Sequence, residues 1–222
     1  MREEWFCRKA PLIYGSVGTL LGLVGYLVDK YGVLADMNLW LIVIAMQAFF
    51  GFRCGELVQK LHKSAYTDSL TKLGNRRMFY HRLDRVIAKQ RCKDAGLFIA
   101  FIDVDFFKYV NDNYGHRIGD EILIMVGHIL RKNARASDTV IRWGGDEFAI
   151  IFSGTDIEGV HKAGERIRMN VASALQEYQV TISVGIISVQ EGDNSDKVLI
   201  KADKALYQAK KTRNMVVMAD AV

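Results

Sequence analysis

Two charge-free apolar runs near the start divide this chain into two kinds of material. Leu12 to Val28 carries no charge over 17 residues, and Met37 to Phe52 carries none over 16, with Gln47 inside it. A membrane-spanning helix needs about 20 predominantly apolar residues, with a lower limit of about 17. Segments of about 12–28 and 37–53 are therefore expected to cross a bilayer as a hairpin. Trp5, Tyr26, Tyr31 and Trp40 stand where interfacial aromatics belong. Arg2, Arg8 and Lys9 precede the hairpin, Arg53, Lys60 and Lys63 follow it, and Lys30 is the one base between the runs. Positive charge follows the cytoplasmic side, which places both termini there. A cleaved signal peptide is the weaker reading, because no A-x-A-like site follows the first run and a second run comes after it. Buried helices of a soluble domain are the other alternative.

Gly15, Gly18, Gly22 and Gly25 recur at spacings of three and four and so share one helix face. Small residues let helix backbones approach closely in lipid. The partner is either the other arm of the hairpin or a second copy of the chain. Residues 55–66 then read as a polar-faced connector helix, with Leu57, Leu61 and Ala65 on one stripe. The expected division is a membrane anchor over 1–54, the connector over 55–66 and a catalytic domain over 67–222.

The whole chain has 222 residues and a formal charge of +5. That charge is spread too evenly to indicate a nucleic-acid polymer as partner, though it suits phosphate-rich ligands or an anionic bilayer. Cys7, Cys54 and Cys92 show no paired spacing, which suggests neither a disulfide framework nor a zinc site and fits a reducing compartment.

Beyond residue 67 the pattern becomes α/β, of the α+β kind. Asn75 is a candidate cap for a helix with Phe79, Leu83, Val86 and Ile87 on its apolar face. Leu97 to Ile102 is a continuous apolar run, the mark of a buried central strand. Ile118, Ile122, Leu123, Val126, Ile129 and Leu130 repeat at helical spacing. Val140–Trp143 and Phe148–Phe152 read as strands joined at Gly144-Gly145. Val160, Ala163, Ile167 and Val171 mark another helix, Val180–Ile187 a strand, Val198–Ala209 a helix and Met215–Met218 an edge strand. Strand-helix-strand-strand-helix-strand is the ferredoxin-like order.

The central run ends in Asp103-Val104-Asp105. If the strand persists, the two acids share a face. A second acidic pair, Asp146-Glu147, follows the glycine turn, and a hairpin beside the central strand would bring the two acidic groups together. Clustered carboxylates repel one another, so a divalent cation is their natural occupant. Oxygen donors without a His or Cys cluster favour Mg²⁺, which takes one or two carboxylates and completes its shell with phosphates. Taken singly, Asp68, Asp112 and Asp138 read as caps or turn formers. No G-x-x-x-x-G-K-[ST] loop is present, so a nucleotide here is not held by a P-loop.

Gly144-Gly145-Asp146-Glu147-Phe148 sits among further ordered motifs. They are Asp68-Ser69-Leu70-Thr71, Asn75-Arg76-Arg77, Phe101 to Lys108, Asn111-Asp112, Tyr114-Gly115-His116, Gly119-Asp120, Arg142-Trp143, Ser183-Val184-Gly185, Ala202-Asp203 and Ala205 to Lys210. In this set and order, residues 68–217 resemble the GGDEF diguanylate cyclases. The resemblance implies a nucleotidyl-cyclase-like fold, a mainly antiparallel central sheet flanked by helices. It implies condensation of two GTP into cyclic di-GMP by a homodimer, each domain holding one GTP. Asp103, Asp146, Glu147 and the Val104 carbonyl would hold Mg²⁺ or Mn²⁺, and Asp146 and Glu147 would be the catalytic acids. Asn111 and Asp120 would read guanine, the backbone around Phe106 and Phe107 would hold phosphates, and Gly144 and Gly145 would let the backbone approach. Lys210 and Arg213 would add positive charge. With the hairpin, the expected location is a bacterial inner membrane, the catalytic part on its cytoplasmic face.

Arg135-x-x-Asp138, with five residues between Asp138 and Gly144, matches in position the family's inhibitory site for cyclic di-GMP, with Arg166 as a second arginine. One departure stands at the end. The family's last helix usually continues as A-K-x-x-G-R-N, whereas Ala209-Lys210-Lys211-Thr212-Arg213-Asn214 is one residue shorter and lacks the glycine. That change puts Arg213 out of register with the phosphates and leaves an alternative, a domain that binds GTP or cyclic di-GMP as a receptor without turnover.

Overall fold

The computed structural model describes residues 2–30, 37–90 and 96–219, and the chain forms two compact units, Met1–Ala65 and Tyr66–Val222. Tyr31 and Cys92 lie outside the described residues, as do the side chains of Arg2, Trp5, Cys7, Arg8 and Trp40.

The first unit is a pair of helices, α1 (Arg2–Lys30) and α2 (Met37–Tyr66). Both are long and apolar enough to cross a membrane. Only 11% and 6% of their apolar windows are buried, whereas core helices of a soluble protein would be mostly buried. Leu20, Leu21, Met46, Phe49 and Phe50 are more than half exposed, a surface suited to lipid. At 30 residues and about 1.5 Å per residue, α2 is about 45 Å long, against about 30 Å of hydrocarbon. The second apolar run and the connector segment are thus one unbroken helix.

The glycine face of α1 is used inside this hairpin. A Cβ on Gly18 would stand 2.8 Å from the Gln47 carbonyl oxygen, and one on Gly22 would stand 2.7 Å from Ile44 Cγ1. On α2, a Cβ on Gly51 would collide with the Tyr14 carbonyl. The two backbones approach closely because no side chain separates them. Gly22→Leu is therefore expected to part the arms. In a background without native cysteines, the cross-link between Gly15→Cys and Ala48→Cys should form with Gly22 present and fall several-fold with leucine there.

The second unit is a five-stranded sheet in the order β2-β3-β1-β4-β5. Its strands are β1 (Leu97–Val104), β2 (Thr139–Gly144), β3 (Glu147–Ser153), β4 (Ile182–Ser188) and β5 (Val216–Ala219). Every neighbouring pair is antiparallel except β4 with β5. All eight residues of β1 are buried, because the sheet is covered on both faces. Ala100, Ile102, Phe148 and Ile150 pack with α5 (His116–Asn133) and α6 (Ile157–Ala174). Ile99, Phe101, Ala149 and Ile151 pack with α3 (Arg76–Gln90) and α7 (Ser195–Thr212). This is the ferredoxin-like arrangement with one added parallel strand. Asn75 Oδ1 accepts from the Met78 N–H at 3.1 Å and caps α3.

Three details differ from the sequence expectation. Residues Phe107–Tyr114 form a short helix, α4, in which only Val110 is buried, so no apolar stripe announces it. Strand β4 begins at Ile182, because the Val180 N–H is turned back to the Leu175 carbonyl. Strand β1 ends at Val104, so Asp105 leaves the sheet and does not share a strand face with Asp103.

Candidate active site

The carboxylates meet where β1 runs out beside the β2–β3 hairpin. Asp103 lies opposite Glu147 in the antiparallel register, and the Val104 N–H donates to the Asp146 carbonyl at 3.2 Å. From the last turn of α7, Lys210 reaches across and its Nζ donates to Asp103 Oδ2 at 2.7 Å. Burial pushes the Asp103 carboxyl up to about 6, against the pull of the Lys210 ammonium. The Asp146 and Glu147 charges push it the same way. Burial likewise raises Glu147. The site thus holds more negative charge than one lysine offsets.

Among the described residues no three side chains of His, Cys, Asp or Glu converge as a closed metal cage. Mg²⁺ needs no such cage, since one or two carboxylates suffice when phosphates complete its shell. The donor set here is oxygen only and short of positive charge, which fits that ion.

Asp105 has a structural task. It is buried; Ser183 Oγ donates to its Oδ1 at 2.7 Å, and Thr181 Oγ1 (2.7 Å) and the Asn214 N–H (3.0 Å) donate to its Oδ2. These bonds satisfy its charge and join β4 and the end of α7 to the loop after β1.

The glycine turn is held by residues outside the motif. Arg142 donates to the Gly145 carbonyl from Nε at 3.0 Å and from Nη2 at 2.8 Å. Its Nη1 pairs with Asp68 Oδ1 at 3.2 Å. Asp68 also accepts from the N–H and hydroxyl of Thr71, at 2.8 and 2.7 Å. Burial raises the Asp68 carboxyl, but these donors and Arg142 outweigh it and hold its pKa below the ordinary value. Gly145 itself has φ 53, where a glycine avoids strain, and a Cβ on Gly144 or Gly145 would meet nothing within 4 Å. In the sequence Asp68 reads as a local turn former, and nothing there marks Arg142 for a role. The Arg142–Asp68 pair spans 74 residues and has no local signature.

Phe106 caps α4 at φ 60 with no side-chain hydrogen bond to the helix. The Arg213 guanidinium lies over its ring, 4.0 Å from the centroid. Phe107 turns inward against the core. Asn111 is brought against α5, where a Cβ on Gly119 would collide with its Oδ1; Asp120 is the next residue and is exposed. Arg135, Asp138 and Arg166 line one small cleft of about 40 Å³ together with Asn133 and Thr155. Asp138 Oδ2 accepts from the Arg135 N–H at 2.7 Å, and Arg166 donates to Asn133. A separate groove of about 530 Å³ runs between α3, α5 and β2. Neither cavity includes Asp103, Asp146 or Glu147.

A ferredoxin-like sheet whose central strand delivers an acid to an acidic glycine hairpin defines a domain of the nucleotidyl-cyclase type. The chain belongs to the GGDEF family: residues 65–215 match the model described as diguanylate cyclase, GGDEF domain. It is 40% identical over 162 residues to the response regulator PleD of Caulobacter vibrioides, covering 69% of this chain and 36% of that protein. It is 36% identical to the diguanylate cyclase DgcS of Shewanella oneidensis, covering 68% of this chain and 52% of DgcS. The chain thus spans between about a third and a half of these relatives' lengths. Among solved structures, the coiled coil and GGDEF domain of DgcB from Caulobacter crescentus, in complex with c-di-GMP, superposes with a TM-score of 0.75 at 31% identity. That match covers 79% of this chain and 97% of the DgcB chain.

Proposed function

We propose that this chain is a membrane-anchored diguanylate cyclase, joining two GTP into cyclic di-GMP with release of two pyrophosphates. The observation that carries the reading is the placement of Asp103 opposite Glu147, with Asp146 at the adjoining turn. Asp103, Asp146 and Glu147, with the Val104 carbonyl, would hold Mg²⁺ or Mn²⁺. When bound, the ion supplies charge neutralisation and alignment at the triphosphate.

The chain's own residues do the rest. Asp146 accepts the proton of one GTP's 3′-hydroxyl. The freed oxygen bonds to the α-phosphorus of the other GTP, and the bond to pyrophosphate breaks. Asn111 and Asp120 hold the guanine edge. The first N–H groups of α4 have no intrahelical acceptor and offer themselves to phosphate, with Lys210 and Arg213 beside them. One unit carries one such half-site, so turnover needs two units facing each other about a twofold axis. The expected division into an anchor over 1–54, a connector over 55–66 and a catalytic domain over 67–222 fits this reading, with the catalytic part at the cytoplasmic face of a bacterial inner membrane.

Incubating the purified full chain with GTP and Mg²⁺ and reading products by mass spectrometry tests the proposal. Cyclic di-GMP should appear with the wild type and not with Asp146→Ala. Binding of GTP or cyclic di-GMP without product would move the assignment to a receptor.

The cleft of Arg135, Asp138 and Arg166 supports product inhibition, since arginine pairs with phosphate and stacks on guanine. Arg135→Ala is expected to raise the half-inhibitory concentration of cyclic di-GMP at least about tenfold, as loss of a charged hydrogen bond implies. The initial rate without added product should stay within about twofold. An unchanged inhibition curve would remove this assignment.

A further inference from the structure

We infer that Phe106 is a positioning residue for the triphosphate of GTP, acting through Arg213. The inference rests on the reading of the site as a GTP site, and adds to it a residue that works through its ring. Phe106 stands at φ 60 in the left-handed region, which bulky residues seldom adopt, and is 52% exposed. Neither backbone preference nor burial explains an aromatic side chain there. Its one aromatic or cationic neighbour among the described contacts is Arg213.

Arg213 is delivered to that ring by an unusual turn. Arg213 and Asn214 both lie in the left-handed region, at φ 62 and φ 45. The Arg213 N–H closes α7 on the Ala209 carbonyl at 2.8 Å. The Asn214 N–H donates to Asp105 Oδ2 at 3.0 Å, and Arg168 Nη1 donates to Asn214 Oδ1 at 2.9 Å. Asp105 is the residue directly before Phe106. The end of α7 is therefore tied to the start of α4, although no glycine relieves the turn. With the backbone fixed on both sides, the guanidinium rests on the Phe106 ring.

A guanidinium on a ring face keeps all its N–H donors for another partner. Among the described residues Arg213 makes no ion pair. The ring lies at the uncapped first turn of α4, and Lys210 reaches Asp103 from the turn before Arg213. The helix start, Lys210 and Arg213 are three sources of positive potential at this loop; Lys210 is directed by Asp103, and Phe106 directs Arg213. Without the ring, a long exposed side chain would sample many rotamers and lose most of its time near the phosphates.

The test is equilibrium binding of α,β-methylene-GTP and of GMP, with Mg²⁺, to the full chain and its variants. Phe106→Leu should weaken the triphosphate analogue about twofold to fivefold, the range expected of an exposed cation–π contact, and leave GMP unchanged. Phe106→Tyr should bind like the wild type. Phe106→Leu combined with Arg213→Ala should be no weaker than Arg213→Ala alone. Equal losses for GMP and the analogue, full binding by Phe106→Leu, or additive losses in the double variant would each overturn the inference. Wild-type protein that binds neither ligand would instead bring down the GTP site itself, and the inference with it. An unchanged circular dichroism melt separates a folding defect in Phe106→Leu from lost positioning, and Arg213→Lys, which keeps charge but not the planar face, should match Phe106→Leu.

Discussion

Asp103→Asn is expected to lower cyclic di-GMP formation by more than about 100-fold while making the sheet harder to open at neutral pH. The two effects have one cause. Asp103 is buried, faces Glu147 and Asp146, and has its carboxyl pushed up to about 6. An unfolded aspartate titrates near its ordinary value of 3.8. Between those values the folded state binds the extra proton, so stability is fully present below about pH 4 and declines as pH rises through about 6. Above that window the ionised group destabilises the fold by about 3 kcal/mol, on the scale of about 1.4 kcal/mol per pKa unit. Asparagine removes the charge and keeps an oxygen for Lys210. Amide hydrogen exchange in β1 and β3 should therefore slow in the variant at pH about 7.5 and match the wild type near pH about 4. If the variant exchanges faster at neutral pH, the strained carboxylate is not the cause. A site that weakens its own fold where its carboxylates gather is a common trade between stability and activity.

Arg142→Ala should cost about 10- to 100-fold in turnover, although it replaces none of the site carboxylates Asp103, Asp146 and Glu147. Arg142 is the one described side chain that holds the Gly145 carbonyl, and Asp68 anchors it from the far side. Without it the turn carrying Asp146 loses its support, and displacement by about 1 Å is enough for such a loss. Folding should weaken by about 1–3 kcal/mol, because the arginine and Asp68 are only 14% and 19% exposed and Asp68 is left with Thr71 alone. Arg142→Lys should not restore the rate, since an ammonium cannot span both acceptors in one plane. The wild-type pair also resists acid. Asp68 is held below its ordinary pKa, so its contribution is present above that value and is lost only as pH falls through the lowered one. The measurement is kcat and KM for the variants, beside a denaturant midpoint. Lost stability with full turnover would show that the pair only braces the fold.

These cases mark what the chain declares locally and what it does not. The α5 stripe from Ile118 to Leu130 and the continuous run of β1 are periodic, so their elements are readable directly. The hairpin at Gly144-Gly145 is readable from turn chemistry. Helix α4 is not, because it buries only Val110 and starts on a left-handed Phe106 where a Ser or Asp cap would signal a start. Asp105 reads as a second candidate at the end of a strand; that it turns away to Thr181, Ser183 and Asn214 depends on contacts 76 to 109 residues distant. The glycine face of α1 is plain in the sequence, but only the packing against Gln47 and Ile44 says which helix it meets. At the end of α7, the missing glycine suggests a misplaced Arg213. The backbone instead accepts two left-handed residues and brings the guanidinium to Phe106.

The unbroken run of α2 from Met37 to Tyr66 has a mechanical consequence. A continuous helix is stiff in torsion, so it acts as a drive shaft and not as a tether. Each residue advances about 100° and about 1.5 Å along the axis. Adding one residue below the apolar run would turn the rest of α2 by more than a quarter circle. Adding seven would come within about 20° of the original phase. A rotation of the apolar end of α2 is therefore carried to Tyr66 as an angle, and what such a helix passes along is geometric.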